Sequence, residues 1–318
     1  MTTPSNAVPE SVNSQGIDSQ RIALAPGSAT RPLYWSIRRE LWENRSIYIA
    51  LLVAAALGML AFFINLFYLP RTLRALPGMD PAHQHMMIAM PYGHLAWLLL
   101  PTAFIVGVFY SLDALHGERR DRSILFWKSM PVSDLTTVLS KASIPIVILP
   151  LLVFAIAVIL HLVMLLLSTA VLLLLGGAAT LWAHLPLFQM EFVLLYGLTV
   201  VALWHAPLYA WLLLVSGWAR RATFLWAVLP LLAIGVFERI VFHTSHFANL
   251  LHNRLLGFAW DAFNFTTPDG SPVDLHFIPV SLLTPGKFLS RPGLWIGLIF
   301  AAIFLAAAVR LRRNREPI

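Results

Sequence analysis

The sequence predicts an all-α polytopic membrane protein, and three observations support this class. First, 58% of the 318 residues are apolar and 12% are charged, whereas about 45–50% and about 25% are usual in soluble domains. Second, charge-free runs recur at lengths that suit membrane helices. Third, the Lys and Arg residues are concentrated in every second segment that flanks these runs. The composition therefore argues against a water-soluble fold.

The charge-free runs locate six spans. A bilayer core about 30 Å thick requires about 20 helical residues. The fifth charge-free run, 222–237, is short, so its helix must continue past Glu238 and Arg239 to cross the bilayer. We expect spans at residues 47–69, 92–112, 142–167, 193–217, 222–242 and 292–310.

The long run from 142 to 190 leaves the number of spans open, because its 49 residues could hold two. Gly176, Gly177 and Pro186 interrupt its second half. With one span there, 16 of the 22 basic residues fall on the cytoplasmic side, and with two spans 14 do. We therefore expect six spans with both termini in the cytoplasm. The net charge of +7 is then a sign of orientation rather than of nucleic-acid binding.

The remaining residues form flanking segments. Residues 1–30 are polar and lack the apolar region of a signal peptide, which indicates a disordered cytosolic tail. Residues 31–46 have an amphipathic pattern that predicts an interfacial helix on the inner membrane surface, with a simple anchoring flank as the alternative. On a helical wheel its polar arc comprises Ser36, Arg39, Glu40, Glu43 and Ser46. The six-span domain covers 47–310, and its outer segment 238–291 is apolar enough to lie on or dip into the outer leaflet. Residues 311–318 form a basic cytosolic tail.

The segment between spans two and three, residues 113–134, is the most charged stretch of the chain. A run of charged residues stands there directly before a run of large apolar ones, a combination that suits a docking surface. The alternative is that these residues pack against the inner ends of the spans. The candidate docking residues are Glu118, Arg119, Arg120, Asp121, Arg122, Phe126 and Trp127.

The order of these segments, with the inner sequence GERRDRSILFWKSMPVSDL at residues 117–135, resembles the membrane subunit of type 2 ABC export permeases. The resemblance covers residues 31–315. It implies that two six-span permease chains form the pathway and that a cytosolic coupling helix on each docks onto a separate ABC ATPase subunit, which binds ATP and Mg²⁺. The coupling helix then corresponds to Leu115–Trp127 and the interfacial helix to Pro32–Ser46. The resemblance also implies a bacterial plasma (inner) membrane location and export as the direction of transport.

The chain has no catalytic motif of its own. A phosphate-binding loop requires a glycine five residues before a Gly-Lys pair, and the one such pair, Gly286-Lys287, has none. HExxH, GxSxG and SxxK are also missing. The lack of cysteine excludes disulfides, thiolate metal sites and a cysteine nucleophile. We therefore expect no enzyme activity, cofactor or metal on this chain.

Histidines supply the remaining candidate sites. His161 and His205 fall within spans three and four, where they either line the pathway or hydrogen-bond a neighbouring helix. Glu238 and Arg239 could pair, gate the pathway or mark the end of the fifth span. Two outer clusters could bind a soft metal or simply lie at a wet interface; they comprise His83, His85, Met86, Met87 and Met90, and His243, His246 and His252.

Two other functions remain as alternatives to the ATP-driven permease. An ion-driven secondary transporter is expected to have acids inside its spans, and the predicted spans place none near their middle. A membrane-embedded metal-handling protein would use the His and Met clusters.

Overall fold

The computed structural model describes residues 30–75, 78, 80–123, 132–175, 178–265 and 278–314. The predicted disordered tail, apart from Thr30, lies outside these ranges, as do the candidate docking residues Phe126 and Trp127 and the last residues of the predicted basic tail.

The described residues form an all-helical structure without strands. The one extended contact is an isolated antiparallel bridge between Phe263 and Leu283. The helices, in chain order, are α1 Thr30–Glu43, α2 Ser46–Leu66, α3 Leu69–Ala75, α4 Pro81–Asp113, α5 His116–Arg120, α6 Asp134–Ser143, α7 Leu149–Leu175, α8 Ala178–His184, α9 Leu187–Trp218, α10 Thr223–Val241, α11 His246–Leu256, α12 Phe258–Ala262, α13 Pro285–Ser290 and α14 Pro292–Asn314.

Six of the described helical stretches are long and apolar enough to cross a membrane, which confirms the predicted number of spans. They are α2, α4, the continuous stretch α6–α7, the stretch α8–α9, α10 and α14. The chain is thus a multi-pass membrane protein.

Two helices begin earlier than the predicted spans. Helix α4 begins at Pro81 and passes through Pro91 and Pro101, because membrane helices tolerate proline where neighbouring groups satisfy the freed carbonyls. Helix α9 begins at Leu187 and so includes Glu191. The hydropathy pattern places both starts too late, since polar residues at the helix end lower the local average without ending the helix.

The long charge-free run holds one long helix followed by a short one. A five-residue π-helical turn, Ile144–Ile148, joins α6 to α7. Pro145 lies in this turn, and its lack of an N–H favours a local change in the hydrogen-bond pattern. The helix continues to Leu175, beyond the predicted end at 167, and α8 precedes α9. One span in this part of the chain agrees with the distribution of basic residues.

Helix α9 lies at the centre of the bundle and packs along α14, α4 and α7. Its most apolar stretch is 67% buried inside the chain, whereas that of α10 is 6% buried. A helix that is apolar all round and exposed in an isolated chain suits a lipid environment. Helix α10 is therefore peripheral.

The two ends of the bundle differ in character. At one end α1 packs on α6, and α5 and the last turns of α14 lie beside them; we call this the charged end. At the other end α11, α12 and α13 fold over the first half of α9 and the start of α14; we call this the capped end. The outer segment predicted at 238–291 corresponds to the capped end, where its described residues, 238–265 and 278–291, include several short helices.

Candidate functional site

Four elements that are distant in sequence bring buried charged side chains together at the charged end. Glu40 of α1, Glu118 of α5, Lys141 of α6 and Arg312 of α14 are 0%, 9%, 2% and 5% exposed. Charged residues are rarely buried to this extent unless they are paired. We call these four residues and Arg39 the charged cluster.

Glu118 is the centre of the charged cluster. Its Oε1 lies 3.1 Å from Lys141 Nζ and 3.1 Å from Arg39 Nη2. Its Oε2 accepts a hydrogen bond from Arg312 Nη2 at 3.2 Å. Arg312 also donates to Asp134 Oδ1 at the start of α6. One carboxylate thereby connects α5 to α1, α6 and α14.

Glu40 is the second acid of the charged cluster. Lys141 Nζ donates to its Oε1 at 2.9 Å, Arg39 Nη2 donates to the same oxygen at 2.8 Å, and Tyr110 donates to its Oε2 at 2.8 Å. Burial opposes ionisation of Glu40, but the charge and hydrogen bond of Lys141 and the charge of Arg39 outweigh it, so its pKa lies below the ordinary value. Glu40 is therefore a carboxylate at neutral pH.

A second set of contacts fixes α5 to the end of α9. The backbone N–H groups of Leu115 and His116 donate to Ser216 Oγ at 3.0 and 2.9 Å. Arg119 Nη1 donates to the carbonyl oxygens of Gly217 and Ala219 at 2.9 and 3.2 Å. A cation at these carbonyls also interacts favourably with the C-terminal end of the helix dipole. Helix α5 is thus attached to the bundle along its whole length.

The candidate docking residues divide into two groups. Glu118 and Arg119 are buried against the spans, so for them the structure favours packing over docking. Arg120, Asp121 and Arg122 are exposed. Arg122 has a left-handed backbone with φ of 57°, and α5 ends at Arg120. Within the described part of the expected coupling helix, residues 115–123, the left-handed Arg122 interrupts the helix after Arg120.

The surroundings of α1 explain its amphipathic sequence. The polar residues Arg39 and Glu40 face α6 and the charged cluster, whereas Trp35 and Trp42 are exposed. The guanidinium of Arg38 lies over both tryptophan rings, at 5.2 and 4.7 Å from their centroids. Tryptophan next to a cation suits the membrane interface. The polar arc thus faces the protein, and the aromatic side faces outward.

The two span histidines both hydrogen-bond neighbouring elements. His161 Nδ1 lies 2.5 Å from Glu191 Oε1 on α9, and its Nε2 lies 3.1 Å from the carbonyl oxygen of Tyr92 on α4. His205 Nε2 lies 3.1 Å from the carbonyl oxygen of Leu255 in α11. Both are 3% exposed. These contacts favour the neighbour-binding interpretation over a pathway lining.

Glu238 and Arg239 play different structural parts. Glu238 accepts hydrogen bonds from Thr244 Oγ1 and from the backbone N–H groups of His246 and Phe247, each at 2.7 Å. It thereby caps the N-terminus of α11. Arg239 is exposed. The contacts of Glu238 fit the junction between the fifth span and the capped end.

The histidines of the first outer cluster contact different partners. His85 Nδ1 lies 2.7 Å from the carbonyl oxygen of His184, and the His83 ring lies beside Asp80. Among the described residues, no three His, Cys, Asp or Glu side chains are grouped so that they could hold a metal ion. The geometry adds nothing in favour of a metal site.

Sequence reasoning missed the partners in these buried contacts. Glu40, Lys141 and Arg312 appear in the sequence only as charges near helix ends, and Glu191 falls just outside the predicted fourth span. Two signals were present: Glu40 lies in the polar arc of α1, and Lys141 directly precedes a 49-residue charge-free run.

Comparison with protein-family models, with curated proteins and with solved structures finds no match for this chain.

Proposed function

We propose that this chain is the permease subunit of an ATP-driven ABC exporter in the bacterial plasma membrane. It forms the transmembrane pathway with a second permease chain, identical or paralogous, and couples to a separate ATPase subunit that binds ATP and Mg²⁺. The observation that carries the proposal is the attachment of a short helix, α5, to four larger helical elements through the charged cluster and Ser216.

The contacts of α5 suit the transmission of force. Glu118 connects it to α1, α6 and α14, and Arg119 and Ser216 connect it to α9. A displacement of α5 is therefore passed to spans three, four and six together. The exposed Arg120, Asp121 and Arg122 remain available to a partner at the same end.

Coupling to ATP requires a difference between two states. The ATPase must bind the inward-facing and outward-facing permease unequally, since a partner with equal affinity for both shifts neither. In our proposal this difference arises at α5, and the charged cluster converts it into movement of the spans.

The distribution of charge supports a cytoplasmic location for the charged end. Arg39, Arg119, Lys141 and Arg312 all lie at this end, and cytoplasmic flanks carry an excess of Lys and Arg. Both chain termini would then be cytoplasmic, and the capped end would face the periplasm.

The docking proposal is tested by co-purification from native membranes. The variant Arg120→Ala with Arg122→Ala removes two exposed charges from the proposed docking surface. We expect an ATP-hydrolysing subunit to co-purify with the wild-type chain. With the variant, the co-purified ATPase activity should fall at least about ten-fold, which corresponds to about 1.4 kcal/mol of binding free energy.

The matched control is Arg220→Ala with Arg221→Ala. These arginines are exposed in the α9–α10 connection at the same end and carry the same charge, so their loss should leave the ATPase activity unchanged. Equal loss in both variants would indicate a general charge effect. A wild-type preparation without ATP hydrolysis would contradict the proposal itself.

A second candidate function is an ion-driven carrier, and one observation favours it. Glu191 lies within the apolar stretch α8–α9 and contacts His161, and ionisable residues inside membrane helices often belong to ion pathways. Transport by the purified chain alone in vesicles, driven by a proton gradient and without ATP, would favour this carrier over the permease.

A further inference from the structure

A buried acid–imidazole pair, His161 with Glu191, lies far from the charged cluster. Lys141 and His161 belong to one continuous helical stretch, and 20 residues of helix span about 30 Å. The pair is therefore in the half of the bundle toward the capped end. The side chains of His161 and Glu191 are 4% and 13% exposed, and the pair joins α7 to α9.

The hydrogen bonds of the pair determine how many protons it holds. A backbone carbonyl can only accept, so His161 Nε2, at 3.1 Å from the carbonyl oxygen of Tyr92, must carry a hydrogen. If the ring is neutral, its Nδ1 then has a lone pair and can only accept. The 2.5 Å contact between Nδ1 and Glu191 Oε1 consequently needs a further proton, on either the ring or the carboxyl group.

The pair has the same number of protons and the same net charge whether this proton lies on the ring or on the carboxyl group. An imidazolium donates from Nδ1 to a carboxylate, or a carboxylic acid donates to the Nδ1 of a neutral ring. In each case the pair has no net charge. Loss of the proton leaves a carboxylate facing a lone pair, with a net negative charge in an apolar layer, which is costly in both hydrogen bonding and solvation.

The surroundings provide no fixed cation in contact with the pair among the described residues. Within the described parts of α4 and α8, the other titratable side chains are those of His83, His85, Tyr92, His94, Tyr110, Asp113 and His184. At the charged end Tyr110 donates to Glu40 and Asp113 lies beside Arg120, and the His83 ring lies beside Asp80. The Tyr92 ring lies 5.8 Å from the His161 ring, His85 and His184 contact each other, and His94 is exposed.

No charged side chain on the other described elements around α7 is paired with His161 or Glu191. On α2 the titratable side chain is that of Tyr48, in its first turn. Arg71 and Arg74 on α3 are exposed. On α9 the other titratable groups are Tyr196, which bonds the carbonyl oxygen of Ala262, and His205, which bonds that of Leu255. The third is Tyr209, whose ring lies 6.3 Å from that of Phe104. Glu191 Oε2 is buried and has no hydrogen-bond partner among the described residues, so within this part of the chain no second donor stabilises the carboxylate in place of the proton.

A small cavity lies next to Tyr92, whose carbonyl oxygen contacts His161. This cavity of about 20 Å³ is lined by Tyr92, Ser168 and Asn65, among other residues. This is large enough for a water molecule. The cavity shares Tyr92 with the pair, so the chain already has polar groups and space next to His161 on the side of α2 and α4.

We propose that His161 and Glu191 form a proton-binding site that takes up one proton per chain. With the proton bound, the hydrogen bonds of His161 hold α7, α9 and α4 together, and release of the proton breaks the hydrogen bond between His161 and Glu191. The site makes the packing of these three helices depend on pH, whether transport is driven by ATP or by an ion gradient.

Proton counting tests the site directly. We expect the wild-type chain in lipid nanodiscs to release one more proton than the Glu191→Gln variant between about pH 5 and pH 9, a range that lies above ordinary glutamate titration and includes ordinary imidazole titration. Glutamine preserves the hydrogen bond, because its amide donates to Nδ1 of a neutral ring as the carboxylic acid does. The control His246→Gln, at an exposed imidazole outside the pair, should lose its own proton but keep the pH-dependent step of the pair.

Thermal unfolding gives an independent measure. The bound proton completes the hydrogen bond between His161 and Glu191 in the folded chain. Because its release removes that bond, we expect the stability of the wild type to fall as the pH rises. The melting temperature of Glu191→Gln should not show this fall. Equal proton counts and equal pH profiles for wild type and variant would overturn the proposal.

A second variant covers the case in which glutamine prevents folding. In Glu191→Met the new side chain has a similar length and is apolar, so it suits the membrane interior. This variant too should release one proton fewer than the wild type. Because proton counts are measured without substrate or nucleotide, their result is independent of whether an ATPase co-purifies.

Discussion

The buried charges of the charged cluster stabilise one another. Lys141 is 2% exposed and serves two acids, Glu40 and Glu118. Removing one partner from a buried set of charges leaves an unpaired charge, which destabilises by about 3–5 kcal/mol. The identity of each charged residue therefore matters more than the number of ion pairs.

Lys141→Met should lower the free energy of unfolding by about 3–5 kcal/mol, because two carboxylates then share less positive charge. The melting temperature in detergent or nanodiscs measures the change. Arg221→Met, at an exposed arginine of the α9–α10 connection, is the control and should change stability by about 0.5 kcal/mol or less. Adding Glu40→Gln to Lys141→Met should recover part of the loss; a further, additive loss would contradict the assigned pairing.

At the scale of elements, α11 is attached to α14 through a slot between small residues. Gly293 and Gly297 are one helical turn apart, and Arg254 of α11 donates to the Gly293 carbonyl oxygen at 3.2 Å. The Arg254 guanidinium also lies 4.8 Å from the centroid of the Trp204 ring. Small residues with this spacing often admit a neighbouring helix, whereas here they admit an arginine side chain.

Gly297→Ala should weaken the attachment of α11 to α14. A Cβ at this position would lie 1.5 Å from an Arg254 guanidinium nitrogen, so the arginine would have to leave the slot. We expect faster hydrogen exchange in α11, measured by mass spectrometry. Gly286→Ala is the control, because a Cβ there meets no atom within 4 Å. Unchanged exchange in the Gly297 variant would show that the slot does not retain α11.

At the scale of the whole molecule, the bundle has one charged end and one capped end, and our proposal assigns the charged end to the cytoplasm. The spans alternate in direction between these ends, as expected for six membrane crossings. The absence of cysteine from the chain permits a direct test, because any introduced thiol is the only one present.

Single cysteines should report the orientation. Gly286→Cys at the capped end should react with a membrane-impermeant maleimide in intact spheroplasts, and Arg221→Cys at the charged end should react only after permeabilisation. Both positions are exposed, so labelling after solubilisation serves as the control for accessibility. The reverse pattern would contradict the cytoplasmic assignment of the charged end.

The sequence predicts much of the fold but only part of the candidate site. Charge-free runs identify six spans, and the pattern of α1 shows a polar arc. Nothing local indicates that Glu40 in this arc meets Lys141, 101 positions away. Likewise the charges of Glu118 and Arg119 suggest a solvated docking face, whereas the structure buries both.

The number of spans and the class of the protein were determined by the sequence itself, because the transfer of a helix into a bilayer is nearly a sum of local residue contributions. The partners of the buried charges were decided by the tertiary structure alone. They depend on the rotation and register of each helix against its neighbours, which local hydropathy does not encode. For that reason the charged cluster and the His161–Glu191 pair emerge only when the helices are packed.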